Sequence, residues 1–253
     1  MYTDEQFTKL EQEERELTND AIAIMLLILA NTKVNLEKEL RTFYQKYGKD
    51  GVVTWREARK WVGEKDHRRR LNALILYLSG GFDSALSKLT PKFRDFLTEV
   101  VEKEMGFFNV DIDLEDILTT VWGVDEATWL KRLEDDLELW NVYLANDIKR
   151  SIMRRDNIDQ VLKQLDKRFM SMENIIEKLA MTESTAVGSI ARREIFKELG
   201  IKKYRYYARE DERTCEVCGS LHGLEFPISS YEVGVNASPI HPWCRCWEIP
   251  IMD

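Results

Sequence analysis

The sequence has no cysteine before Cys215, and before Pro227 it has a single proline, Pro91. Secreted domains held by disulfides spread their bridges across the fold, so four cysteines confined to the tail argue against that class. Because proline breaks helix interiors, the long stretches without it permit long helices. The tail, where the other prolines lie, is instead expected to contain short strands and turns.

A surplus of positive charge is also missing, since the net charge is -8 and the isoelectric point is about 5.2. This balance argues against a dedicated duplex-DNA binder. The first residues lack the basic and apolar regions of a secretory signal. The one strong apolar run, residues 21–30, is shorter than the roughly 20 residues that a membrane span needs. We expect a soluble protein made inside the cell, with this run in a buried helix.

Helical periodicity dominates the first 200 residues. Apolar positions predict a helix from about Phe7 to Phe43, another that opens at Asp125, and a third over residues 173–199 that stops at Gly200. Thr54 to Glu57 fits a capping box. Gly80, Gly81 and Pro91 are expected to interrupt the helical structure and separate two further helices, at residues 71–78 and 91–103.

The pattern changes after Gly200, where apolar and basic residues alternate over 201–209 as in a short strand. These patterns predict an α+β fold, predominantly α-helical, in which long N-terminal and central helices precede a small β-containing, zinc-knuckle-like module. We expect a helical N-terminal region at 1–110, a second helical region at 111–200, and a Cys/His module at 201–253.

The strongest chemical signal is a group of metal-ligand residues at the C-terminus. Two thiolates three positions apart grip one ion from a tight turn, and a second Cys/His group can complete a tetrahedron. The candidate ligands of a structural Zn²⁺ are Cys215, Cys218, His241, Cys244 and Cys246. Five candidates compete for four positions, so either His241, Cys244 or Cys246 is expected to stand outside. Reduced cysteines without metal, or two disulfides, are the alternative.

A second candidate feature is a basic stretch with interleaved tyrosines, residues 192–209, which we call the basic segment. DNA or an acidic protein face could contact it. The candidate nucleic-acid-binding residues are Arg192, Arg193, Lys202, Lys203, Arg205 and Arg209. A solvated helix face followed by an edge strand explains the same charges without a ligand.

Other sites are weakly supported by the residues. The acidic residues Asp111, Asp113, Glu115 and Asp116 lack the central glycine of an EF-hand and fit a helix N-terminus better. No phosphate loop, serine nucleophile elbow or metalloprotease motif is present. We therefore assign no catalytic residue and expect no enzymatic activity.

Three strings carry a resemblance to a known family: DERTCEVC at 211–218, LHG at 221–223 and PIHPWCRC at 239–246. They resemble the phage Mu F-like head morphogenesis family, in which the pattern runs D-x-R-T-C-x-x-C, a leucine-x-glycine turn and P-x-H-P-x-C-R-C. Thr182 and Glu183 are similar to that family's Arg-Thr-Glu helix, and residues 122–152 are loosely similar to minor capsid proteins. Met181 and His222 depart from the family pattern.

The resemblance implies a minor head protein, a virion component in the head interior or at the portal vertex, present in the host cytoplasm during assembly. Its implied partners are the portal protein, the major capsid protein and packaged viral DNA, with no membrane and no small-molecule substrate. A zinc-ribbon-like nucleic-acid-binding protein that uses the basic segment is the alternative. A third hypothesis is a hydrolase or transferase with Glu183 as acid or base.

Overall fold

Long helices form most of the computed structural model, which describes the backbone of residues 4–54, 56 and 67–252 and the side chains of residues 5–54, 56 and 87–252. The expected capping box at 54–57 lies largely outside the described residues. The described helices are α1 (Asp4–Tyr47), α2 (His67–Phe108), α3 (Leu114–Thr119), α4 (Trp129–Arg154), α5 (Ile158–Glu198) and α6 (Glu216–Leu221).

Helix α2 corrects the expected break between residues 71–78 and 91–103, because it runs through Gly80, Gly81 and Pro91 without interruption. An interior proline costs about 3 kcal/mol. Leu89 before the proline and Phe93 after it are almost fully buried, at 1% exposure each. Burial of apolar side chains on both sides of Pro91 stabilises the helix by more than the proline destabilises it.

The C-terminal sheet is antiparallel, and its strands are β1 (Lys203–Tyr207), β2 (Glu225–Pro227) and β3 (Trp247–Ile251) in the spatial order β2-β1-β3. Strand β1 is central, with Arg205 paired to Glu225 of β2 and to Ile249 of β3. Tyr204 and Tyr206 point inward and are fully buried, as the alternation predicted. The predominantly helical α+β class is thus confirmed.

The helix ends follow local capping rules. Gly200 has a φ of 70° and closes α5, with its N–H donating to the Lys197 carbonyl and that of Ile201 to Phe196. Asp113 is the N-cap of α3, and its carboxylate accepts from the N–H groups of Glu115 and Asp116 at 2.9 and 3.2 Å. The acidic residues there therefore mark a helix start, as expected.

The chain divides into two compact units. Unit 1 comprises Met1–Ala23, Lys92–Leu133 and Glu177–Asp253, and unit 2 comprises Ile24–Pro91 and Glu134–Ile176. Within unit 1, the rings of Phe93 and Trp129 stack at 5.7 Å. Within unit 2, Trp140 packs edge-on against Phe169 at 5.1 Å. The division at residues 110 and 200 made from the sequence stays a prediction.

The apolar run at residues 21–30 forms part of α1. Ala21, Met25 and Leu29 are buried there, whereas Ile24 and Leu27 are 51% and 63% exposed. Among the described helices, Glu5–Tyr47 is long and apolar enough to cross a membrane, and 28% of its most apolar 18-residue stretch is buried. This is weak evidence for a span, because core helices of soluble proteins have the same length and composition.

Candidate metal centre

The first arm of the site, residues 211–218, presents two cysteines from the start of α6. Cys215 is the N-cap, and its Sγ accepts a hydrogen bond from the Cys218 N–H at 3.3 Å. Upstream, Asp211 accepts from the Arg213 N–H at 2.8 Å and donates its own N–H to Thr214 Oγ1 at 2.9 Å. These local bonds shape the turn that brings both thiols to one side.

The second arm, residues 239–246, is held against α5 by two threonines. The Trp243 N–H donates to Thr182 Oγ1 at 3.2 Å, and Thr185 Oγ1 donates to the Cys244 carbonyl at 3.2 Å. Trp243 itself has a φ of 66°, a conformation that non-glycine residues rarely adopt. The helix that carries Thr182 therefore positions the loop that carries His241 and the last two cysteines.

A carboxylate joins the two arms directly. Asp211 receives two hydrogen bonds from Arg245, at 2.6 Å from Nη1 and 2.7 Å from Nη2. Paired bonds of this kind fix orientation as well as distance. The guanidinium of Arg245 also holds the pKa of Asp211 well below its usual range. Sequence reasoning missed this contact, although both residues stand in the strings that carry the family resemblance.

The thiols and the imidazole converge on Cys218. Its Sγ lies 3.3 Å from His241 Nε2 and 3.8 Å from Cys244 Sγ. Zinc–sulfur bonds of about 2.3 Å in a tetrahedron place two sulfurs about 3.8 Å apart. A disulfide would require about 2.05 Å. All four cysteines are free, so the disulfide alternative is not what the structure contains.

Two overlapping groups of donor atoms meet the distance requirement for a metal ion. Cys215, Cys218 and His241 form one, and Cys218, Cys244 and Cys246 form the other, with all donor atoms in each group within 4.8 Å of one another. The cluster can therefore hold a metal ion. His222 belongs to neither group. Its Nδ1 instead contacts the Ala208 carbonyl at 3.2 Å.

The pKa values of Cys244 and Cys246 are shifted in opposite directions. A hydrogen bond from the Cys246 thiol lowers the pKa of Cys244 to about 5, and the same bond, together with burial, raises the pKa of Cys246. Tyr206, fully buried behind the cluster, places its hydroxyl 3.5 Å from Cys218 Sγ and 3.9 Å from Cys244 Sγ.

Glu183, the acid of the third hypothesis, is buried in a separate polar contact. Its carboxylate accepts from Trp122 Nε1 at 3.0 Å and from Arg132 Nη1 at 3.1 Å. The Arg132 guanidinium also lies 4.1 Å from the centre of the Trp122 ring and pairs with Asp125. With a side-chain exposure of 1%, Glu183 fastens the loop around residue 122 to α5 and offers no face to a substrate.

The basic segment does not form one surface. Arg192 is buried and paired with Glu104 and Glu248, and we therefore remove it from the predicted nucleic-acid-binding residues. Exposed members are matched by acids, since both Lys203 and Arg205 pair with Glu225, at 3.9 and 3.1 Å.

The remaining members of the basic segment are also partly compensated. Arg193 pairs with Glu194 at 2.7 Å. Arg209 pairs with Glu11 at 3.1 Å, and Lys202 is exposed. Nucleic-acid binding by the members of the basic segment other than Arg192 stays a prediction.

Arg192 lies at the centre of an ionic group that the sequence did not reveal. Its Nε is 2.9 Å from Glu104 Oε1, and its Nη1 is 3.7 Å from Glu248 Oε2. Ser189 Oγ donates to the same Glu248 oxygen at 3.2 Å. Burial raises the pKa of Glu14 and places that of Glu104 well above its usual value. The group joins α1, α2, α5 and β3 within unit 1.

Comparison with known proteins gives one family. Residues 143–249 match the family model described as Phage Mu protein F like protein. The match covers Thr182, Glu183 and all five candidate metal ligands, so the resemblance seen in the sequence is confirmed over this segment. The family is one of phage proteins, and the match covers less than half of the chain. No curated protein and no solved structure shows a significant match to the chain.

Proposed function

We propose that this chain, whose residues 143–249 match the Phage Mu protein F like family, is a minor head protein that acts in head morphogenesis. The portal protein, the major capsid protein, or both, are its proposed partners, at the head interior or the portal vertex. Roles in DNA packaging or ejection are part of the same proposal. The observation that carries it is the family match across both α5 and the cysteine module.

The role we propose is structural and not catalytic. Glu183, the buried acid beside the family motif, already accepts hydrogen bonds from Trp122 and Arg132. A general acid or base must instead reach the proton that it transfers. Thr182, its neighbour, is used to position the second arm. These contacts support an architectural function for the Thr-Glu pair.

We further propose that the cysteine cluster binds Zn²⁺ through Cys215, Cys218, His241 and Cys244. Cys218 Sγ lies 3.3 Å from His241 Nε2 and 3.8 Å from Cys244 Sγ, and Cys215 Sγ lies within 4.8 Å of the donor atoms of Cys218 and His241. These separations support a tetrahedron of three sulfurs and one nitrogen. Cys246 then remains a thiol that hydrogen-bonds to Cys244. Four protein ligands leave no open position for water, so the ion would fasten the two arms and stabilise the fold.

Affinity purification from infected cells tests the proposed role. The tagged chain is expected to copurify with portal protein, procapsids or both, and to be present in purified virions. An untagged chain, expressed at the same level, controls for nonspecific recovery. Absence from virions together with no enrichment of any head protein would contradict the proposal.

A matched pair of variants links the metal centre to assembly. Cys218→Ser removes the thiolate shared by both donor groups and is expected to lower recovery of head proteins. Cys246→Ser is the control, because it removes a thiol that we place outside the coordination sphere. Equal recovery with both variants would separate the metal centre from the assembly role.

A further inference from the structure

A recess in unit 1 lies next to the cysteine cluster, and Cys244, Cys246 and five charged side chains are among the residues that line it. Its empty volume is about 460 Å³, including the part open to solvent. Helix α1 contributes Glu11, Glu14 and Arg15, helix α5 contributes Arg192, and the chain entering β3 contributes Arg245 and Trp247. Three guanidinium groups thus line one recess.

Around the mouth of this recess, arginines and carboxylates alternate. Arg15 pairs with Glu11, and Arg209 contacts the same carboxylate oxygen at 3.1 Å. Arg209 also lies 3.5 Å from Asp211, which is bound by Arg245 at 2.6 Å. Among these five side chains, two carboxylates pair with three arginines, which leaves one positive charge in excess.

Arg213 increases this excess. Its side chain is exposed and has no ion pair among the described residues. The pKa of Arg15 is lowered to about 10, chiefly by burial. Repulsion from Arg209, Arg245 and Arg213 lowers it further. We call Arg15, Arg209, Arg213 and Arg245 the arginine cluster.

The arginines and Trp247 at the recess retain unused hydrogen-bond donors. Each guanidinium carries five N–H groups, and the contacts described above use at most two on any one of them. Trp247 Nε1, which can only donate, is buried with no acceptor within the described part of the chain. Burial raises the pKa of Glu14, one of the two carboxyl groups that line the recess.

We propose that this recess is a binding site for a phosphate-type oxyanion, held by Arg15 and Arg245 with Arg213 supplying further positive charge. Planar guanidinium groups match the oxygens of phosphate and bind them in pairs. The ligand is either free phosphate or the phosphodiester backbone of a nucleic acid. The site differs from the basic segment, although Arg192 of that segment lines the recess and Arg209 contacts Glu11 at its mouth.

Titration calorimetry with inorganic phosphate, in a sulfate-free buffer, tests the site in the full chain. Arg15→Gln is expected to weaken phosphate binding about tenfold, and Arg15→Lys to restore part of it. Arg205→Gln removes an exposed arginine of β1 and is expected to bind like the wild type. Should Arg15→Gln fail to fold, the exposed Arg213→Gln replaces it, with the same direction of effect.

No heat of binding at millimolar phosphate in the wild type, or equal weakening by Arg205→Gln, would overturn the proposal. A short DNA duplex identifies the source of the phosphate. Competition between duplex and phosphate assigns the nucleic-acid backbone, and phosphate binding without competition assigns the free ion. Binding of a polyglutamate peptide by a protein that does not bind phosphate would mean an acidic protein surface, and would also overturn the proposal.

Discussion

We expect the unfolding free energy of the Glu104→Gln variant, relative to that of the wild type, to increase as the pH rises. Glu104 is fully buried on α2, 2.9 Å from the Arg192 guanidinium. Three carboxylates, those of Glu14, Glu104 and Glu248, share this one arginine. Burial places the pKa of Glu104 well above its usual 4.5, so the folded protein holds a proton there that the unfolded chain releases.

The sign and size of the effect follow from proton linkage. Between the unfolded and the folded pKa of Glu104, the folded state binds the extra proton, so the stability of the wild type falls as the pH rises. The loss is about 1.4 kcal/mol for each pH unit in that window, which begins near pH 4.5. Glutamine has no proton to lose. The difference in unfolding free energy between variant and wild type should therefore grow at that rate.

Urea denaturation at several pH values from 5 upward measures this difference. Glu102→Gln, an exposed position on the same helix, is the control and should give a difference that does not change with pH. A difference between Glu104→Gln and wild type that stays constant would refute the reasoning. Increasing destabilisation of Glu104→Gln with pH would show instead that Glu104 is an ionised partner of Arg192.

Three further predictions concern contacts of unit 1. Arg132→Met leaves the carboxylate of Glu183 buried without its cation and should lower the unfolding free energy by about 3–5 kcal/mol. A loss under about 1 kcal/mol would show that the Arg132–Glu183 ion pair does not hold the loop in place. Thr182→Val removes the acceptor of a backbone amide in the second arm and should speed hydrogen exchange there at a cost of about 1 kcal/mol; unchanged exchange would contradict it. Cys218→Ser should abolish zinc retention, measured by mass spectrometry of metal content, while Cys246→Ser retains it.

Much of the fold was predictable because local patterns report helices and strands well. Helical spacing gave the run from Phe7 to Phe43 and the stop at Gly200, and alternation gave β1. The continuity of α2 across Pro91 was not predictable, because burial on both sides overrides the local cost of proline. Residue spacing likewise revealed the candidate ligands, since metal binding restricts how ligands are distributed along a chain.

The contacts that position the site were harder to infer from the sequence. Glu183 and Trp122 lie 61 residues apart, and Arg192 and Glu104 come from different helices. Such pairs depend on how helices pack, which periodicity does not specify. Arg192 illustrates the consequence: in the sequence it belongs to a basic stretch, whereas in the fold it is the centre of a buried ionic group. The contact between Asp211 and Arg245 had a signal in the sequence, because both residues stand in the strings that carry the family resemblance.

X-ray absorption at the zinc edge of the purified full chain tests the metal centre most directly. Coordination by Cys215, Cys218, His241 and Cys244 predicts one ion per chain with three sulfurs at about 2.3 Å and one nitrogen at about 2.0 Å. A protein that folds without retaining any ion would contradict this account of how the two arms are held together. A shell of four sulfurs, or of oxygen ligands, would contradict it equally.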